Sequence, residues 1–143
     1  MTGFEKITFV IPFNNDDELV KPITSFKAEK IPGDLKINFR IGFVGLKAGH
    51  RYHFKIFINP IHLKLKVGEQ AQLQSPFSES AKMFIDTPES KDEDSIDGQL
   101  NVEMGKVNIV ARGIYEVKSV LTDSDAEDSE LHVLTTFFSV ESE

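Results

Sequence analysis

The chain has 143 residues, no cysteine, no tryptophan and 12 phenylalanines, and it carries a net charge of −7 with a pI near 5.1. A length close to the commonest domain size and a hydrophobic fraction of 40% exclude disorder and supply one packed core without covalent staples. The missing cysteines exclude disulfides, thiolate nucleophiles and cysteine-ligated zinc, and the acidic balance argues against a general nucleic-acid binder, whose affinity comes from neutralising phosphates.

Lys6 to Phe13 opens the chain as a strand-like run. No charged segment followed by an apolar stretch precedes it, so no secretory signal is read there. No later run approaches the ~18 apolar residues of a membrane-spanning helix. The expectation is a cytoplasmic protein without a membrane span. An acidic run, Asn14-Asn15-Asp16-Asp17-Glu18, follows. Asp17 to Phe26 could begin a helix, but Pro22 interrupts it. Pro32-Gly33 signals a turn.

The clearest strand is next. Leu35, Ile37, Phe39, Ile41 and Phe43 alternate with Lys36, Asn38 and Arg40, which gives a pleated segment one buried and one wet face. Tyr52, Phe54, Ile56 and Ile58 repeat the pattern against Arg51, His53, Lys55 and Phe57. Asn59-Pro60 reads as a turn, and Ile61, Leu63, Leu65 and Val67 as the strand beyond it. Lys82 to Asp86 is a short strand. Asp97-Gly98 reads as a turn before Leu100, Val102 and Met104. Val107, Ile109 and Ala111 either continue that strand as one bent element over Gln99 to Ala111, or return after a hairpin at Met104-Gly105-Lys106. Arg112-Gly113 reads as a turn before the strands Ile114–Leu121 and Leu131–Val140. These elements predict an all-β fold over residues 1–143: one antiparallel two-sheet sandwich of about eight strands, immunoglobulin-like or jelly-roll-like, with long loops and no substantial helix.

Within residues 113–140, Gly113-Ile114-Tyr115-Glu116-Val117, Leu121-Thr122-Asp123 and Thr135-Thr136-Phe137-Phe138-Ser139-Val140 resemble the closing strands of bacterial immunoglobulin-like domains. There a Gly-x-Tyr-x-Val strand leads through an acidic turn to a strand rich in Thr and Phe. The Cys and Trp marks of true immunoglobulin domains are absent. The resemblance implies a sandwich and, because sandwiches host many activities, no particular function.

Two further acidic runs occupy Asp86 to Asp97 and Asp123 to Glu130. With eight strands alternating up and down, all three runs would meet at one end. Asp92, Asp94, Asp123, Asp125 and Asp128 are then candidate ligands for Ca²⁺, a cation that takes 6–8 oxygens. Such a site would look like that of a C2 domain, a sandwich with Asp-rich loops at one end. The alternative is that the runs are solvated loops that keep the chain soluble. An EF-hand register fails, because starting it at Asp92 puts Asp97 where glycine is required.

A tight hairpin at Asn59-Pro60 would bring a basic face together. His53 would oppose Lys66, Lys55 would oppose Lys64, and Arg51 would lie nearby. Like charges in direct opposition are mildly unfavourable, so this face is either tolerated by solvent or used against an anionic partner. The alternative is a chain that crosses between sheets at Pro60, since proline is awkward at the second turn position. His50 and His53 point to opposite faces of a strand and make no chelate. No Gly-x-Ser-x-Gly elbow, dinucleotide fingerprint or phosphate loop occurs. The leading expectation is therefore a non-enzymatic module that binds a protein partner or itself, without a cofactor. The alternatives are the Ca²⁺-dependent domain and an enzyme of unrecognised type.

Overall fold

In a computed structural model, residues 4–13, 24–64, 79–89, 95–124 and 129–142 are described. They form eight strands: β1 (Lys6–Phe13), β2 (Ser25–Ala28), β3 (Gly33–Lys47), β4 (Arg51–Lys64), β5 (Glu79–Asp86), β6 (Ser95–Ile109), β7 (Arg112–Asp123) and β8 (Ser129–Ser142). Two sheets face each other, a three-stranded one in the order β1-β3-β6 and a five-stranded one in the order β2-β8-β7-β4-β5. The fold is an all-β two-sheet sandwich. One pairing departs from the antiparallel expectation: β2 runs parallel to β8. The chain reaches β2 after leaving β1 in the other sheet, so β2 joins as an edge in whichever direction it arrives.

The core is the alternating face read from sequence. Ile37, Phe39 and Ile41 of β3, Tyr52, Phe54 and Ile56 of β4, and Val117 and Leu121 of β7 are fully buried between the sheets. Each such side chain contributes roughly 1.5–3 kcal/mol relative to exposure. Edge-to-face pairs, Phe43 on Phe54 and Phe26 on Phe138, fill the space between layers. The phenol of Tyr115 donates to the Ala111 carbonyl at 2.6 Å and so fastens the short turn between β6 and β7. Burial pushes that phenol's pKa up.

Two predicted turns, Asn59-Pro60 and Asp97-Gly98, lie inside strands. Asn59-Pro60 lies inside β4, which runs unbroken to Lys64, so the predicted hairpin and its pairing of Lys55 with Lys64 do not form. Pro60 is tolerated for two reasons. Ile58 is the last residue of β4 that pairs with β5, so among the described residues the missing N–H of Pro60 faces no ladder on that side. A bulge between Pro60 and His62 absorbs the misfit against β7. Gly113 accepts that bulge: its φ is +145°, and a Cβ there would sit 2.1 Å from the His62 carbonyl oxygen. Asp97-Gly98 lies inside β6, opposite a bulge in β3 at Gly45, whose N–H donates to the Asp97 carboxylate at 3.0 Å. Met104-Gly105-Lys106 is also a bulge, with Gly105 at φ +74°, so β6 is the single bent strand of the two alternatives. At the opposite end of β7, the turn precedes Arg112-Gly113, and these two residues begin the strand.

Merging the two halves of β4 changes the strand parity. Phe13, from which the first acidic run departs, lies at one end of the sandwich; Asp86 and Asp123, from which the other two depart, lie at the opposite end. The described residues that bound the second and third runs share an end, and Phe13, which precedes the first, lies toward the other.

Candidate functional site

The outward face of the five-stranded sheet follows from register. On β4, Arg51, His53, Lys55 and Phe57 alternate with the buried residues and point outward. Across from them, β5 places Asp86 opposite Arg51, Phe84 opposite His53 and Lys82 opposite Lys55. On the other side, β7 places Thr122 opposite His53, Val120 opposite Lys55 and Lys118 opposite Phe57. Lys55 therefore has one lysine directly beside it and a second, Lys118, on the diagonal, roughly 7 Å away between backbone positions. None of these three lysines is held in an ion pair among the described residues.

An aromatic ridge borders them. Phe84 is 58% exposed. The His53 ring stacks on it at 4.8 Å and the Arg51 guanidinium lies over it at 4.8 Å. Arg51 also grips Asp86 through two hydrogen bonds of 2.7 and 3.1 Å, which holds the Asp86 carboxyl below the usual carboxylate range. Further along the sheet Phe137 is exposed beside Glu116, while its neighbour Phe138 points into the core. That settles which of the two adjacent phenylalanines turns outward.

The predicted basic set is thus divided. Arg51, His53 and Lys55 do share a face. Lys64 lies nine positions along β4, roughly 30 Å from Lys55, where its ammonium pairs with Glu141 at 2.8 Å and lowers that carboxyl's pKa. Lys66 is outside the described residues. His53 and His62 occupy one strand rather than opposed strands, so they do not approach each other. Sequence reasoning missed Lys82, Lys118 and Phe84. A signal for them existed: Ala81, Met83 and Ile85 alternate with Lys82, Phe84 and Asp86, which fixes their outward direction once β5 is placed beside β4.

Of the five predicted cation ligands, Asp92, Asp94, Asp125 and Asp128 lie outside the described residues. Asp123 is 8% exposed and its carboxylate meets His50 Nε2 at 2.9 Å. His50 in turn packs on Tyr52, with ring centroids 4.7 Å apart. The Tyr52 hydroxyl accepts the Lys47 N–H at 2.7 Å, and burial pushes its pKa up. The Thr87 hydroxyl accepts the His50 N–H at 2.9 Å and donates to the Lys47 carbonyl. These bonds stitch the β3–β4 turn to the ends of β5 and β7. No group of three His, Asp or Glu side chains suited to a metal occurs among the described residues, and no helix long and apolar enough to cross a membrane occurs among them.

No family model matches the chain, and no curated protein matches it. Among solved structures it is similar to a Niemann-Pick type C2 protein from Japanese carpenter ant, with 14% sequence identity and a TM-score of 0.47, over 99% of this chain and 96% of that one.

Proposed function

We propose that this protein is a non-enzymatic recognition module whose outward five-stranded face binds an acidic segment of a protein partner. The observation that carries this reading is Lys55 set directly against Lys82, with Lys118 on the diagonal, in a chain of net charge −7. Opposed like charges cost stability, and nothing in the packing requires lysine at these outward positions. An anionic partner turns that cost into attraction and adds orientation and speed of encounter. Phe84, held flat by His53 and Arg51, supplies the rigid apolar anchor that interfaces favour. The commitment of Asp123 to His50 favours protein recognition over cation binding at the acidic end.

The test is titration with a labelled oligo-glutamate peptide while backbone NMR signals are followed. Shifts should concentrate on Lys55, Lys82, Phe84 and Lys118 and disappear in the Lys55→Glu, Lys82→Glu double variant. Shifts spread over the whole surface, or none at all, would overturn the reading.

A further inference from the structure

We infer that the cavity at the crossover from β2 to β3 is a second binding site, and that it takes the phosphate monoester of a small hydroxylated molecule. The chain leaves β2 in one sheet and enters β3 in the other through Glu29 to Pro32. The turn is tight. A Cβ on Gly33 would stand 2.6 Å from the Lys30 carbonyl oxygen, so a side chain there would force the two strands of the turn apart. Beside it lies an open cavity of about 430 Å³, within the roughly 300–1,000 Å³ of small-molecule sites. The crossover stands at the end of the sandwich opposite Asp86 and Asp123, and the cavity shares no residue with the outward five-stranded face.

Charge selects the ligand. Lys27, Lys30 and Lys36 line the cavity, and Lys106 stands directly opposite Lys36 on the neighbouring strand. None of the four is held in an ion pair among the described residues. Lys27 neighbours Glu141 in the register of β2 with β8, but that carboxylate is engaged by Lys64 at 2.8 Å. Glu29 and Asp34 are the carboxylates of the lining. Four lysines and two carboxylates leave a local charge of +2 on a chain of net charge −7. A phosphate monoester carries about −1.5 to −2 at pH 7 and presents acceptor oxygens, whereas each ammonium group offers donors alone. The two carboxylates repel a bare anion, but they accept hydrogen bonds from hydroxyl groups. That combination favours a phosphate ester with hydroxyls beside it over free phosphate or sulfate. Half-buried Leu35 gives the ligand's carbon skeleton an apolar wall.

The test is titration of the full chain with glycerol 3-phosphate, inorganic phosphate and sulfate at one ionic strength, since exposed charges are screened by salt. Backbone NMR signals of residues 27–36 and of Lys106 should shift and saturate, with glycerol 3-phosphate binding more tightly than the two inorganic ions. Lys30→Gln with Lys36→Gln should weaken binding roughly tenfold, as expected when charged hydrogen-bond donors are lost. Glu29→Gln with Asp34→Asn should erase the preference for the ester, although it removes negative charge and would strengthen a purely electrostatic attraction. All of these side chains are exposed, and thermal melts confirm that the variants fold. The same monoester is the headgroup of phosphatidic acid, so flotation with phosphatidylcholine vesicles, with and without phosphatidic acid, separates the two sources. Saturable binding of glycerol 3-phosphate assigns a soluble ligand. Capture only by the phosphatidic acid vesicles, lost in the lysine variant, assigns a lipid headgroup. Binding of neither, equal affinity for sulfate and the ester, or a lysine variant that binds like the wild type overturns the proposal.

Discussion

Tyr52, Phe54, Ile56 and Ile58 of β4 face the three-stranded sheet and are at most 2% exposed, while His53, Lys55 and Phe57, interleaved with them, face outward beside Lys82, Lys118 and Phe84. The same backbone holds both sets. The inward set is dictated by volume: each side chain fills space between two sheets at close packing, and each alternative leaves a void or a clash. No such demand acts on the outward set. Phe84 and Lys82 have water as their default neighbour, so their identities answer to solubility or to a partner, not to the fold. The largest expected contrast follows. Phe54→Ala should cost about 3–5 kcal/mol, the usual penalty for emptying a buried phenylalanine site, whereas Phe84→Ala should change stability by about 0.5 kcal/mol or less. Urea denaturation of the two variants measures both, and comparable losses would erase the distinction between the faces.

Beyond Pro60 the two faces of β4 stop alternating cleanly, and Ile61 becomes 52% exposed. The bulge responsible depends on Gly113, where φ is +145° and the His62 carbonyl occupies the place of a Cβ. Gly113→Ala should therefore destabilise the chain by about 2 kcal/mol, combining an unfavourable backbone conformation with displacement of β4. Denaturant midpoints report the loss, and NMR shifts should place the disturbance at Pro60 to Leu63 rather than at Tyr52 to Ile58. An unchanged midpoint would mean that β4 and β7 separate readily here.

How much of this was legible follows from the same strand. The periodicity of β3, β4, β7 and β8 disclosed the sandwich and its core, because alternation is a local property that a single sequence carries. What alternation lacks is pairing. Asn59-Pro60 carries a turn signature and matching apolar faces on either side, so a hairpin is the natural local reading. The observed solution depends on Gly113, more than fifty residues away, and on the end of β5, and neither is visible from positions 59 and 60. That one error moved Lys64 onto the basic face, left out Lys82 and Lys118, and put the departure points of all three acidic runs at one end. The chemistry of the face, lysines crowded against an aromatic, was legible; its members were not.

The inner layer also contains a titratable contact of its own. His132 lies opposite the buried Leu121, and its Nδ1 accepts the Ile7 N–H at 2.9 Å, tying β1 to β8 across the sheets. Desolvation, with Lys6 nearby, lowers its pKa. A histidine whose folded pKa lies below its unfolded one contributes fully above the unfolded value, near pH 6.5, and loses that contribution as pH falls through it, because the unfolded chain then binds the extra proton more readily. Protonation also converts the acceptor nitrogen into a donor facing another donor. Melting temperature should fall between pH 7.5 and pH 5 by more in the wild type than in His132→Gln. This window is distinct from that of Asp86 and Glu141, whose lowered carboxyl pKa values remove stability only in more acidic solution. Parallel pH profiles for the two proteins would mean that the contact is not coupled to folding.

The smallest effect separates the two faces most sharply, because its sign differs from the rest. Lys82→Glu puts a carboxylate directly opposite Lys55 on an exposed antiparallel pair and exchanges a repulsion for an attraction. Cross-strand pairs of this kind are worth roughly 0.2–1 kcal/mol, so the variant should unfold at a slightly higher denaturant concentration than the wild type, with the gain shrinking in high salt. Inward substitutions on the same sheet can only lose by comparison. If the face binds acidic segments, the same change should weaken the oligo-glutamate complex, so that stability and binding move in opposite directions at one residue. A lysine that lowers stability and is required for binding is what a surface shaped by a partner predicts. If Lys82→Glu stabilises the chain and leaves binding untouched, the opposed lysines are a tolerated cost of an outer face that no partner uses.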